Sequence, residues 1–277
     1  MTSLAPGTPR IGSAEMKVGS SLIEAVTQTG AVASAELRKI WRDPTEIFSR
    51  SVQPILWLLI FGQVFARTRA IPTGRLDYLT FMTPGILAQS VLFTGIFYGI
   101  AIIWERDLGI VHKLLVSPAF RGSLVLGKAL TASVRAAVQG VVIYVVAAIL
   151  RVQLELTLPS VFGVLVAIGI GGAIFSTFSL IIACLVKTRE RFMGIGQVLT
   201  MPLFFASNAI YPVDLMPAWL RVVSRLNPLT YLVDLMRGLM VHGGHAELGV
   251  ATDVTVLLAG LVVLVAVAAR LYPSVAR

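Results

Sequence analysis

Charge is scarce in this sequence. Asp, Glu, Lys and Arg make up 13% of its 277 residues, about half the roughly 25% of a soluble domain. No water-soluble core absorbs the 56% of residues that are hydrophobic, and secreted, disordered and ordinary cytosolic classes fall away. Cysteine occurs once, as Cys184 inside an apolar stretch, so no disulfide closes within the chain. The three histidines, His112, His242 and His245, all fall between apolar runs, and no G-x-S-x-G elbow is present. That leaves intramembrane hydrolysis without its usual machinery. His242 and His245 lack a third ligand of matching spacing and read as exposed loop residues, not a metal pair. Gly122-Ser-Leu-Val-Leu-Gly127-Lys128 follows the phosphate-loop pattern only until Ala129, which stands where a Ser or Thr would hold magnesium. Uphill work by this chain must therefore be driven by a partner.

Long apolar runs are what the sequence does have. A span needs about 20 mostly apolar residues to cross roughly 30 Å of hydrocarbon. Six segments qualify: Ser51–Ala66, Leu79–Trp104, Leu124–Leu150, Pro159–Val186, Phe192–Tyr211 and Val254–Leu271. The mean hydropathy of +0.85 agrees. The expected architecture is an all-α polytopic membrane protein. A polar, small-residue-rich segment over residues 1–30, with no signal-peptide core, is expected to be flexible, and a single domain is expected over 31–277.

The net charge of +9 raises the question of nucleic acid. Lys and Arg cluster between the apolar runs, however, and no soluble basic face exists to hold a duplex. The clusters instead orient the chain. One side carries Arg10, Lys17, Arg38, Lys39, Arg42 and Arg50, with Arg106, Lys113, Arg121 and Lys128, then Lys187, Arg189 and Arg191, then Arg270 and Arg277. The other carries Arg67, Arg69, Arg75, Arg151, Arg221, Arg225 and Arg237. The positive-inside rule puts the first set, and both termini with it, in the cytoplasm.

Two short features flank the spans. Ala31–Asp43 sets Leu37, Ile40 and Trp41 beside Arg38, Lys39 and Arg42, the pattern of an interfacial helix on the inner leaflet. Between Pro212 and Asp253, Asn227-Pro228 opens an apolar helix running to about Met240. About 13 residues reach about 20 Å, too short to cross. With Leu215–Leu220 before it, this makes a pair of short outer helices that dip into the leaflet or cover the bundle exit.

By these boundaries no span contains Asp or Glu. Ion-coupled transporters generally need an intramembrane carboxylate, so a secondary transporter or channel acting alone is the weaker reading. Arg135 is the charge well inside a span, with Gln139 one turn on. Two readings stand open: the pair lines an inward mouth that attracts anionic headgroups or polar cargo, or Arg135 snorkels or pairs with Glu105 or Glu190. Gln89 and Asn208, with Ser90, Thr94, Gln197 and Thr200, are further cargo-path residues that interhelical hydrogen bonding explains equally well. The small-residue rows Gly95/Gly99, Gly169/Ala173 and Gly172/Ser176 permit close helix approach, within the subunit or across a dimer.

A helix over Asp107–Val116 gathers Ile110, Val111, Leu114 and Leu115 on one face, with Glu105, Arg106, Asp107 and Lys113 for polar contacts. On physics alone it docks in a partner's cleft or rests on headgroups. Trp104-Glu105-Arg106-Asp107-Leu108-Gly109-Ile110-Val111-His112-Lys113-Leu114-Leu115-Val116-Ser117-Pro118 resembles the cytoplasmic coupling segment of type-2 ABC exporter permeases. Phe205-Ala-Ser-Asn208-Ala-Ile-Tyr211-Pro212, Leu215-Met-Pro217-Ala-Trp219-Leu220 and Leu226-Asn227-Pro228-Leu-Thr230-Tyr231 are similar to that family's signature around its fifth span. Ala206-Ser207-Asn208 departs from the Ser-Gly pair of many members. The resemblance runs from about Ala31 to the C-terminus and lies nearest the drug-resistance, daunorubicin-type branch, with nodulation-factor and polysaccharide exporters close by.

The resemblance implies a six-span permease subunit in a bacterial inner membrane, paired with a second permease subunit. Two copies of a separate ATPase would hold the ATP and magnesium. The implied coupling residues are Glu105, Arg106, Asp107, Gly109, Ile110, Lys113, Leu114, Ser117 and Pro118. The implied cargo is a drug or lipid-like amphiphile moving outward, or a lipid-linked glycan. The chain itself would be no enzyme.

Overall fold

The computed structural model describes residues 44–68, 71–74, 76–108, 121–186 and 188–272. The interfacial helix expected at Ala31–Asp43 lies outside them, as does most of the coupling helix, including Gly109, Ile110, Lys113, Leu114, Ser117 and Pro118. Among the described residues the fold is all-helical with no strand. The elements in order are α1 (Pro44–Leu56), a π-helical segment (Trp57–Gly62) and α2 (Gln63–Thr68), then α3 (Tyr78–Asp107), α4 (Arg121–Ile149), α5 (Leu158–Leu185) and α6 (Arg189–Phe205). A 3-10 turn (Val213–Leu215), α7 (Ala218–Leu226), α8 (Pro228–Met240) and α9 (Val250–Leu271) follow.

Four of these helices are long and apolar enough to cross a membrane: α3, α4 over Val125–Ile149, α5 and α9. The other two expected spans differ from that description for local reasons. The first is composite. Pro54 removes a backbone donor inside α1, and the wide π turn follows at Trp57 before α-geometry resumes at Gln63. The second, α6, has 17 residues and stops at Phe205 rather than Tyr211. There the Ser207 hydroxyl donates to the Phe204 carbonyl at 2.7 Å and accepts from the Ala209 N–H at 3.3 Å, replacing the helical ladder with a side-chain turn.

The helix starts follow their residues. Asp77 caps α3 by accepting from the Leu79 N–H at 3.3 Å. Thr188 caps α6 by accepting from the Arg191 N–H at 3.4 Å. Asn227 caps α8, accepting from the Leu229 N–H at 3.0 Å, and its amide donates to the Leu203 carbonyl at 2.6 Å, which ties α8 to α6.

The core is α3 laid along α5, with α4 and α8 packed on that pair. Small residues set the spacing. A Cβ on Gly95 would stand 2.6 Å from the Phe175 Cβ, and one on Gly172 would stand 3.0 Å from the Ser133 Cα. The Gly95/Gly99 and Gly172/Ser176 rows thus pack inside the subunit, α3 on α5 and α5 on α4, whereas a Cβ on Gly169 would meet nothing within 4 Å. Burial is uneven: 72% of the α3 window is buried but only 11% of the α9 window, so α9 presents an apolar flank that water cannot wet.

One expectation about the last span changes. Gly249, at φ 90, lets the chain enter α9 at Val250, one turn before the expected Val254. Asp253 falls within the helix and is fully buried. A span read as free of acid thus carries one, beside Asp234 of α8, which is also buried.

Candidate functional site

One end of the bundle is charged. The last turn of α3 carries Glu105, Arg106 and Asp107, and each is tied to a different neighbour. Glu105 pairs with Lys128 of α4. Arg106 donates to the Val186 carbonyl just past α5 at 3.2 Å. Asp107 pairs with Arg189 at the start of α6 at 2.7 Å, and the Arg189 guanidinium lies 3.6 Å from the Trp104 ring centroid. The sequence offers these three residues to a partner, whereas the structure uses them within the chain. They clamp the root of the segment after Asp107 to α4, α5 and α6 at once.

Of these bonds, Lys128–Glu105 is the least solvated, at 13% and 30% side-chain exposure. A double-mutant cycle with Lys128→Met and Glu105→Gln is expected to give a coupling energy of about 1–2 kcal/mol, above the roughly 0–1 of exposed pairs. Thermal unfolding of the four proteins in detergent measures it, and additive effects would show the pair contributes nothing.

Beside this end, α1, α3 and α4 enclose a cavity of about 260 Å³, which adjoins a second of about 220 Å³. Together they reach the roughly 300–1,000 Å³ range of small-molecule sites. Arg50, Thr94, Phe97 and Ile100 line both. Gln53, Gln89 and Gln139 line the larger, while Tyr98, Trp104 and Arg135 line the smaller. Phe93 and Phe97 stack along one wall with centroids 6.0 Å apart, and the Arg135 guanidinium stands 5.9 Å from the Tyr98 ring. Gln139 donates to the Ser51 hydroxyl at 2.9 Å, joining α4 to α1. Gln89 is 2% exposed, and neither its amide nitrogen nor its carbonyl oxygen has a partner in the protein. Among the described residues no acid lines either cavity.

One turn beyond Pro54 the rings close in. Trp57 stacks on Phe61 at 4.4 Å and meets Phe204 edge-on at 5.8 Å, and Phe204 lies 5.5 Å from Phe205.

Of the cargo-path residues read from sequence, Gln89, Ser90, Thr94, Gln139 and Arg135 therefore line these two adjoining cavities. Asn208 does not join them. It sits in the turn after α6, 1% exposed, and its backbone carbonyl accepts from Arg237 at 2.7 Å. Arg50 and Gln53 were not singled out in the sequence because they read as the flank and first turn of an apolar span. His242 bonds Glu155 at 2.6 Å, and the described residues hold no metal-ligating cluster.

Residues 27–241 match the family described as ABC-2 type transporter. A transport permease from Cyanophora paradoxa is 34% identical, covering 73% of this chain and 70% of its own. The daunorubicin resistance ABC transporter permease protein of Streptomyces coeruleorubidus is 26% identical over 86% of each chain. Nodulation protein J of Rhizobium leguminosarum bv. trifolii is 28% identical over 66% of this chain and 69% of its own.

Proposed function

Because the chain belongs to the ABC-2 type transporter family, as one of its membrane permease subunits, we propose that it moves an amphipathic or hydrophobic, drug- or lipid-like cargo outward as half of a permease dimer driven by two ATPase subunits. On this reading α1 through α2, α3, α4, α5, α6 and α9 supply six crossings of a bacterial inner membrane, with both termini and the charged end in the cytoplasm. ATP and magnesium sit on the ATPase subunits. Closure of those subunits pushes the segment 107–118, whose Gly109, Ile110, Lys113, Leu114, Ser117 and Pro118 form the docking helix. The anchors at Glu105, Arg106 and Asp107 pass the push to three helices together.

The cavity among α1, α3 and α4 is the observation that carries the cargo reading. It lies beside the charged end, is walled in part by aromatic rings and holds a few converging polar groups, as small-molecule sites do. A lipid-linked glycan is the rival cargo. A continuous wide channel lined with aromatic rings would favour it, whereas the cavities beside α1, α3 and α4 are of about 260 and 220 Å³.

Reconstitution with and without the ATPase subunit tests the proposal. Export of a fluorescent amphiphile is expected only with the ATPase and ATP. Gly109→Pro is expected to reduce export to background while leaving membrane insertion intact, because proline breaks a docking helix. A gradient built by this chain alone would overturn the reading in favour of a channel or secondary transporter.

A further inference from the structure

Asp253 is a buried acid that the permease reading leaves without a role. It sits in the first turn of α9 and is fully buried. Neither of its carboxyl oxygens has a hydrogen-bond partner in the protein. Asp234 of α8 stands beside it, close enough for a bond between the two side chains, and is itself fully buried. Asp234 Oδ2 accepts from the Leu248 N–H at 2.8 Å, while its Oδ1 has no donor. Most buried polar groups in proteins are satisfied, so orphaned oxygens on two neighbouring acids ask for an explanation.

Among the described residues no cation faces Asp253. Its helix packs chiefly on α8, α5 and α4. α5 contains no Asp, Glu, Lys, Arg or His, and the charges of α4, Arg121, Lys128 and Arg135, fall in its first half, toward the charged end of the bundle. Arg270 of α9 itself lies roughly 25 Å further along the axis. On α8, Arg237 is faced by Asp234 and by Glu247 of the following loop, and it donates to the Asn208 carbonyl at 2.7 Å. His245 in that loop is exposed. A metal ion of the calcium or magnesium kind would need about six oxygens, and the described residues gather no group of three ligating side chains.

Burying a second, unpaired carboxylate costs far more than taking up a proton, so the two acids are not both ionised. We propose that Asp234 and Asp253 form a proton-binding site, in which Asp253 is a carboxylic acid and donates its hydrogen to Asp234 Oδ1. One proton removes both anomalies. It neutralises the acid that no cation faces, and it supplies the donor that Asp234 Oδ1 lacks. The charge stays on Asp234, where Arg237 faces it. A hydrogen bond from a neutral acid to a carboxylate is about twice as strong as one between neutral groups. Its place matters because only 11% of the α9 window is buried against the bundle. The proton is a latch that ties the start of this lightly held helix to α8. The inference does not rest on the permease reading.

Infrared spectroscopy of the purified full chain at neutral pH tests this without any ATPase, since exposed carboxyl groups are ionised there. Dodecyl maltoside is the detergent, because it has no carbonyl of its own. The parent is expected to show the carbonyl band of a carboxylic acid, and Asp253→Asn is expected to lose it. Thermal unfolding gives a second readout. The amide of Asp253→Asn donates to Asp234 Oδ1 as the acid does, so this variant is expected to melt close to the parent. Asp253→Leu leaves that oxygen without a donor and is expected to melt several degrees lower. Replacing sodium by choline in the buffer is expected to change neither the band nor the melting midpoint.

A parent spectrum without an acid band overturns the proposal, as does a band that persists in Asp253→Asn. Equal melting of the Asn and Leu variants, at either the parent's midpoint or a lower one, overturns the bond to Asp234. A midpoint that drops when sodium is withdrawn puts a metal ion in the proton's place and overturns the site as described. None of these results touches ATP-dependent export, so the permease reading stands or falls on its own experiment.

Discussion

Arg237→Met is expected to remove most of the folded protein. Arg237 is 3% exposed within α8 and donates to the Asn208 carbonyl at 2.7 Å, while its guanidinium lies 3.9 Å from the Phe81 ring centroid. Asp234, one turn earlier, accepts from the Leu248 N–H at 2.8 Å, and Asp253 of α9 completes the cluster, both fully buried. Methionine fills the same space but removes the cation that faces the buried Asp234 carboxylate. Breaking a buried charge cluster in this way costs about 3–5 kcal/mol, a large share of the roughly 5–15 that holds a domain together. The expected readout is loss of the monodisperse peak in detergent, with the melting midpoint of any residual fraction lowered by many degrees. Asp234→Asn in the Arg237→Met background removes the stranded charge while keeping an oxygen for the Leu248 N–H, and is expected to recover part of the loss. An Arg237→Met protein that elutes and melts as the parent does would show that the cluster holds nothing.

A sign reversal between glycines is the second large expectation. In an open helical position Gly→Ala stabilises by up to about 1 kcal/mol through backbone propensity. Gly260 of α9 has nothing within 4 Å of its added Cβ, so Gly260→Ala is expected to raise the melting midpoint slightly. Gly99 of α3 is the opposite case: its Cβ would stand 2.5 Å from the Phe192 Cζ and against the Ser179 hydroxyl, which bonds the Gly99 N–H at 3.0 Å. Phe192 is fully buried and has little room to retreat. Overpacking there outweighs propensity, and Gly99→Leu is expected to cost about 3 kcal/mol or more. Thermal unfolding of both variants decides it. A neutral Gly99→Leu would mean that α3 and α6 part easily at this level.

The spans at α3, α4 and α5 were legible in the sequence because uninterrupted apolar runs decide both their existence and their approximate ends. Asn227-Pro228 was legible because capping is local chemistry. The π segment after α1 was not, since its Trp57 meets Phe204 and Phe205, residues far away in the chain. The early start of α9 was hidden because a hydropathy reading ends a span at its first charge, here Asp253, whose partners come from α8. Within the cavity, Gln89, Gln139 and Arg135 stood out as polar groups in apolar runs. Asn208 looked the same on paper, and only the tertiary fold takes it away from the cavity, to Arg237 of α8, beside Ala209 packed on Gly85. Glu105, Arg106 and Asp107 read as partner contacts because a sequence shows charges without showing where their counter-ions come from.

The wide turn at Trp57–Gly62 has a kinematic consequence. A π turn stores one residue more than an α turn. Converting that stretch to α-geometry would screw Arg50 and Gln53 relative to Phe65 by about 100° and 1.5 Å, with no covalent strain and little change in hydrogen-bond number. The segment leading into α3 thus carries a stored residue whose release would turn one of its halves against the other like a threaded joint.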